Sequence, residues 1–298
     1  MRIQPTTRRT FVALGAAFAL AGAFLAADLA AAAPPAKDAK LAAMIPAALR
    51  AKGSITAATE PFYPPFQFAG ADNETLVGLD IDLGKALGQV LGIKITFVPA
   101  KFDAIIPGLE ARRYDISIDA MADTPARRKQ VDFIDYFQSG SALFVPAAGT
   151  APIASLDDLC GYKVGVVKGT FQVEDAEAQA AKCKSAGGKT LEVDVFPDQS
   201  AMILAISSGR VDAIMMDSAV GNHLAKEAKG KFKQTGGLTK AKRKGIAVPK
   251  GETALREALQ GALQKLIDDG TYAAILESYN QGAGAIPKAT INDGDTSS

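Results

Sequence analysis

One pattern occurs twice in this chain, and it restricts the fold more than any other feature. Ile105-Ile106 and Leu109 form an apolar helical stripe that leads into Arg113-Tyr114-Asp115 and then the strand-like Ile116 to Ile118. The same order returns as Met202-Ile203, Ile206, Arg210-Val211-Asp212 and Ala213 to Met215. Any helix–turn–strand unit shares those periods. The shared Arg–apolar–Asp turn goes further and points to two related lobes.

The segments around each copy extend the pattern. Ser54 to Thr59 reads as a strand, followed by the aromatic turn Phe62-Tyr63-Pro64-Pro65-Phe66, where the prolines forbid regular structure. Asp80 is placed to cap a helix that buries Leu83, Leu87, Val90 and Leu91 and ends at Gly92. Ile95 to Val98 is a second strand, and Phe102 to Arg113 a helix. The other lobe, starting near Thr150, holds a strand at Lys163 to Val167, a helix from about Thr170 and a strand at Leu191 to Phe196. Gly236 to Gly245 is the return connection, and its basic run Lys240, Lys242, Arg243, Lys244 reads as a solvated loop, with a partner contact as the alternative. Glu252 to Ile267 and Thr271 to Tyr279 read as helices returning to the first lobe, and the chain from Gly282 is Gly-, Ser- and Asp-rich. Strands alternating with helices mean an α/β protein with largely parallel sheets.

At 48% hydrophobic and 22% charged the chain is globular rather than disordered. A formal net charge of +1 argues against nucleic acid, which needs a clustered basic face. Two cysteines and one histidine leave no metal cluster to build, and no cofactor motif is visible.

Residues 1–32 read as an export signal. Arg2, Arg8 and Arg9 precede the apolar run Phe11 to Ala27, then small residues, with cleavage expected after Ala32. The run reaches only the short limit, roughly 17 residues, for a membrane span; a retained anchor is the alternative. Thr7-Arg8-Arg9-Thr10-Phe11-Val12 is also similar to a twin-arginine motif, so either export route fits. In an oxidising compartment Cys160 and Cys183 read as a disulfide; two buried thiols are the competing reading.

Ligands of open α/β sheets bind beyond the carboxyl ends of strands. Glu60 to Phe66, Asp119 to Ala122, Gly169-Thr170 and Asp217 all lie at such ends. Arg127 follows the helix start Thr124-Pro125, a setting suited to a carboxylate, or else is part of a solvated basic face with Arg128 and Lys129. Asp217 is placed either to hold an ammonium group or simply to cap the next helix. Tyr63 and Phe102 are placed to stack on a ligand or to belong to the core, and Gly169 permits close backbone approach.

These stretches carry a family resemblance. YPPFQF at 63–68, LVGLDIDLGKAL at 76–87, FDAIIPGLEARRYD at 102–115, DTPARRKQVDF at 123–133, VGVVKGTFQ at 164–172, SGRVDAIMMDS at 208–218 and GIAVPKG at 245–251 occur in one order. Together they resemble the extracytoplasmic solute-binding proteins of bacterial ABC transporters, family three, the polar-amino-acid type. The resemblance implies a two-lobed periplasmic-binding-protein-like fold (type II), with two mixed, mostly parallel sheets joined by a two-segment hinge near 143–148 and 238–246. On that basis residues 33–53 are a lead-in, 54–145 and 245–281 form lobe 1, 146–244 lobe 2, and 282–298 a flexible tail.

The resemblance also assigns roles. The residue matching Arg127 clamps the ligand carboxylate and that matching Asp217 holds the α-ammonium. Tyr63 and Phe102 flank the side chain, and Gly169-Thr170 offers backbone and hydroxyl groups. Ala120 and Ala122 stand where the family often has Ser or Gly and Ser or Thr, so hydroxyl donors are lost there while backbone N–H groups remain; Asp119 and Phe171 stand where small or hydroxyl residues are frequent. Glu60, at a position acidic in relatives that take basic amino acids, is placed with Asp119 to present negative charge to a cationic side chain, or else both are solvated rim residues. The expected ligand is a polar amino acid, a basic one being the sharper version. The expected protein is a monomeric periplasmic receptor that serves a membrane permease. A cyclohexadienyl or arogenate dehydratase on the same fold is the alternative, with Glu60 or Asp119 as the acid.

Overall fold

The computed structural model describes residues 35–238 and 241–294, so the export signal lies outside the described residues. Two short helices open the described chain, α1 (Ala39–Met44) and α2 (Ala47–Lys52). Then come β1 (Ser54–Thr59), the short strands β2 (Phe62–Tyr63), β3 (Gln67–Ala69) and β4 (Leu76–Val77), α3 (Leu79–Leu91), β5 (Lys94–Pro99), α4 (Phe102–Glu110), β6 (Ile116–Ala122), the single turn α5 (Pro125–Arg128) and β7 (Val131–Ser139). The next group is β8 (Ser141–Pro146), β9 (Lys163–Val167), α6 (Phe171–Ser185), β10 (Glu192–Phe196), α7 (Gln199–Ser207), β11 (Ala213–Asp217), α8 (Ser218–Glu227) and β12 (Phe232–Thr235). Finally come β13 (Lys242–Pro249), α9 (Thr253–Asp268), α10 (Thr271–Ser278) and β14 (Thr290–Ile291).

The large strands form two mixed sheets, ordered β14-β7-β13-β6-β1-β5 and β10-β9-β11-β8-β12. In the first, β1 runs parallel to β5 and β6, while β13 and β14 join antiparallel. In the second, β9 runs parallel to β10 and β11, while β8 and β12 join antiparallel. So β5-β1-β6-β13 and β10-β9-β11-β8 are the same arrangement twice. The repeated turn explains itself here. Asp115 Oδ2 accepts the Thr56 N–H at 2.7 Å and Asp212 Oδ2 accepts the Lys163 N–H at 2.8 Å. Each aspartate thus secures the equivalent strand of its own sheet, β1 or β9, next to the edge strand.

The chain passes between the sheets at Gly140, between β7 and β8, and returns to the first sheet between β12 and β13. The first crossing lies a few residues before the expected 143–148, because β8 already pairs with β11. Helix α3 buries the predicted Leu83, Leu87, Val90 and Leu91 against the first sheet and α9. Cys160 and Cys183 form a disulfide, with Cα atoms 5.5 Å apart, that joins the segment before β9 to α6.

Three local expectations differ from the structure. Asp80 does not cap α3: Gly78 occupies that position at φ +125, where a Cβ would lie 2.3 Å from the Phe66 carbonyl oxygen. The prolines at 64 and 65 do not exclude strand on either side, since β2, β3 and β4 form a small antiparallel sheet around them. The chain from Gly282, expected to be loose, packs as far as Gly294. Ile286 and Ala289 are buried, β14 extends the first sheet beside β7, and Asn292 Oδ1 accepts the Phe133 N–H at 2.8 Å.

Candidate functional site

Where the strand ends of both sheets converge they enclose a narrow cavity of about 30 Å³. Its wall includes Glu60, Tyr63, Phe102, Asp119, Ala120, Ala122, Arg127 and Thr170, all expected from the sequence. Gly169 and Asp217 are not part of the wall, but each contacts a wall residue, Arg127 and Lys244 respectively.

Arg127 bridges the two lobes. Thr124 accepts the Arg127 N–H at 3.3 Å, as the Thr-Pro start predicts, and so fixes the one-turn helix α5 after β6. The guanidinium donates to the Ala122 carbonyl at 2.8 Å in the first lobe and to the Gly169 carbonyl at 2.9 Å in the second. It lies 5.2 Å from the Phe102 ring centroid. A guanidinium has five N–H donors, so some remain for a planar acceptor in the cavity. Burial lowers its pKa to about 10, which leaves it charged at neutral pH.

Gly169 has φ +78, and a Cβ there would lie 3.0 Å from the Asp103 Cβ across the cleft. Lys168 pairs with Asp103 at 2.7 Å. The Thr170 hydroxyl donates to the Val167 carbonyl at 2.7 Å, so it secures the turn before α6 and leaves only its oxygen lone pairs to a ligand.

The acidic pole is built from β1 and β6. Asp119 Oδ1 accepts from Thr59 Oγ1 at 3.1 Å, the Glu60 N–H at 2.7 Å and Gln67 Nε2 at 2.7 Å. Burial pushes Glu60 up to about 7 and raises Asp119 well above the usual carboxylate range. Tyr63 covers this pole and stacks on Phe66, ring centroids 6.0 Å apart.

Ala120 has φ +44, unusual inside a strand. Its N–H is held by Asp80 Oδ2 at 2.8 Å and the Tyr136 hydroxyl at 3.0 Å, and that hydroxyl donates to Asp80 Oδ1 at 2.6 Å. The Ala120 N–H is therefore committed to this buried network and is not a ligand donor, contrary to the sequence-based expectation. The same network explains why Asp80 is buried rather than capping.

Asp217 performs its plainer role and more. Its Oδ1 accepts the Ala219 N–H at 3.0 Å, capping α8. Its Oδ2 accepts from the Ser139 hydroxyl and pairs with Lys244 Nζ at 2.9 Å. Lys244, read from the sequence as part of a solvated loop, is 2% exposed and itself forms the cavity wall. It is buried because β13 begins at Lys242, so the lysine lies inside a strand paired to both β6 and β7. Gln67, Gln172 and Gln199 also line the cavity. Gln67 and Gln172 lie inside the stretches YPPFQF and VGVVKGTFQ, which gave them no role, and Gln199 lies in none of the quoted stretches; topology brings the three together. Phe171, noted as a departure, lies in the wall with its ring 5.5 Å from Lys244 Nζ.

A cleft between two similar α/β lobes, with cationic and acidic side chains in its wall, is an arrangement suited to a small charged solute. This chain is similar to known proteins. ABC transporter arginine-binding protein 1 of Escherichia coli (strain K12) is 35% identical, over 73% of this chain and 86% of that protein. The solved structure of an ancestral arginine-binding protein bound to arginine is 38% identical with a TM-score of 0.70, covering 76% of this chain and 98% of that one. An ancestral amino acid-binding protein described as a precursor of cyclohexadienyl dehydratase is 32% identical with a TM-score of 0.70, covering 78% and 97%. The profile of the bacterial extracellular solute-binding proteins, family 3, matches residues 55–282, and the chain belongs to that family.

Proposed function

We propose that this protein is the periplasmic substrate-binding component of an ABC uptake transporter for a polar amino acid, and that it delivers the solute to a membrane permease. The observation that carries the reading is Arg127, whose guanidinium joins a carbonyl of each lobe in the wall of one cavity. A carboxylate arriving there would gain a charge-assisted partner and would join the lobes at the same point. Behind it, Glu60 and Asp119 are acids that burial has driven upward, and a cationic group on the solute would relieve them. The relatives named above are arginine- and amino acid-binding proteins, which supports a receptor with a basic ligand rather than an enzyme. No described helix is long and apolar enough to cross a membrane.

Calorimetric titration of the ligand-stripped chain with a panel of amino acids tests this. The reading expects a heat of binding for at least one basic member and a loss of about 3 kcal/mol in Arg127→Ala, the usual cost of truncating one side of a buried charge pair. Unchanged affinity in Arg127→Ala would remove Arg127 from the site. The dehydratase reading keeps one supporting observation, a buried Glu60 near 7 that is suited to proton donation. Turnover of prephenate or arogenate that disappears in Glu60→Gln would favour it.

A further inference from the structure

Granting that the cleft takes an amino acid by its carboxylate, the two acidic poles of the site differ in one respect: Asp217 already has its cation. Lys244 Nζ lies 2.9 Å from Asp217 Oδ2, and the two side chains are 3% and 1% exposed. The lysine comes from the first sheet and the aspartate from the second, so the chain supplies an ammonium across its own cleft. The Ser139 hydroxyl and the Ala219 N–H complete the carboxylate's shell. Lys244, not Asp217, faces the cavity. An α-ammonium brought to Asp217 would be a second cation against Lys244, and like charges at contact distance repel strongly in a desolvated site.

The other pole has the opposite character. Asp119 Oδ2 and Gln67 Oε1 are buried with no hydrogen-bond partner among the described residues. The two residues are 2% and 1% exposed, and both line the cavity beside Glu60. Buried acceptors without donors are costly, so this pole is built to receive a donor from outside the chain.

We infer that the ligand is an ω-amino or ω-guanidino carboxylic acid lacking an α-ammonium. Its carboxylate meets Arg127, its terminal cation meets Asp119, Gln67 and Glu60, and Lys244 takes the place of the missing α-ammonium on Asp217. Lys244 and Phe171 both line the cavity, with Nζ 5.5 Å from the ring centroid, so the lysine side of the site already holds a cation against an aromatic face. Lys244 is then the residue that sets specificity between α-amino and ω-amino acids.

The test is calorimetric titration of the ligand-stripped full-length mature chain with three matched pairs: L-lysine and 6-aminohexanoate, L-ornithine and 5-aminopentanoate, L-arginine and 5-guanidinopentanoate. The wild-type protein is expected to bind at least one ω-acid tenfold or more tighter than its α-amino parent. Hexanoate, which lacks the terminal cation, should bind at least tenfold more weakly than 6-aminohexanoate. In Lys244→Met the preference should invert, with the α-amino parent gaining tenfold or more. If that variant fails to fold, the wild-type comparison decides alone. An α-amino parent that binds as tightly as its partner in every pair overturns this inference and leaves the amino-acid reading standing. No binding by either member of any pair overturns this inference together with the basic-ligand form of the amino-acid reading.

Discussion

Raising the pH should destabilise this protein between about pH 4 and pH 7, a direction opposite to that of most salt-bridged carboxylates. Glu60, Asp80 and Asp135 are each held near 7, and Asp119 is raised as well, in every case chiefly because burial penalises the charged form. In the unfolded chain carboxylates ionise near 4. Across that window the native state therefore binds more protons than the unfolded state, so stability falls as pH rises and levels off above the folded values. Asp80 is the cleanest case because it is fully buried, with Tyr136 and Ala120 as its hydrogen-bond partners. A displacement of about three pH units corresponds to about 4 kcal/mol lost between pH 4 and 7 from this residue alone. Asp72, lowered to about 2 by hydrogen bonds from Thr75 and Glu74, works the other way, but its contribution is lost only as pH falls below about 4. The assay is denaturant unfolding at fixed ionic strength from pH 5 to pH 8, for wild type and Asp80→Asn. The wild type should be more stable at pH 5 than at pH 8. In Asp80→Asn the dependence should be shallower by up to one proton's worth, about 1.4 kcal/mol per pH unit. Stability that rises from pH 5 to 8, or a variant with an unchanged slope, would refute the reasoning.

Other expectations follow from single contacts. Reducing the Cys160–Cys183 disulfide, or replacing both cysteines by serine, should cost roughly 3 kcal/mol by the loop-closure argument, read as a lower unfolding midpoint. Gly169→Ala should weaken solute binding about tenfold, because the new methyl meets Asp103 across the cleft in a positive-φ turn; affinity equal to wild type would show that the lobes need not approach so closely. Tyr136→Phe should destabilise the protein by about 1–3 kcal/mol, because it removes a donor to buried Asp80, and the loss should be larger at pH 8 than at pH 5, where Asp80 is protonated.

Much of the architecture was legible because burial imposes periods. Ser54 to Thr59 and Lys163 to Val167 are strands over the residues expected, since short apolar runs between turn residues have few alternatives. The Arg–apolar–Asp turn marked the two-lobed plan because its aspartates do the same job in each sheet. Most of the cavity wall was legible for a related reason: strand ends in such sheets converge on one place.

What stayed hidden depends on contacts distant in sequence. Asp80 looks like a cap from its neighbours, and only the fold brings Ala120 and Tyr136 to it. Lys244 sits in a basic run that local composition reads as solvent-facing; pairing of β13 with two strands buries it. The Gly- and Asp-rich C-terminal segment hides Thr290 and Asn292, whose partners Asp135 and Asp132 lie on β7. Local composition carries no trace of such pairings.

The most direct measurement is a crystal structure of the protein with its tightest-binding solute. The account predicts the solute carboxylate against the Arg127 guanidinium, enclosed by residues of both sheets, with its cationic end toward Glu60 and Asp119. A solute seated with its carboxylate away from Arg127, or bound outside this cavity, would contradict it.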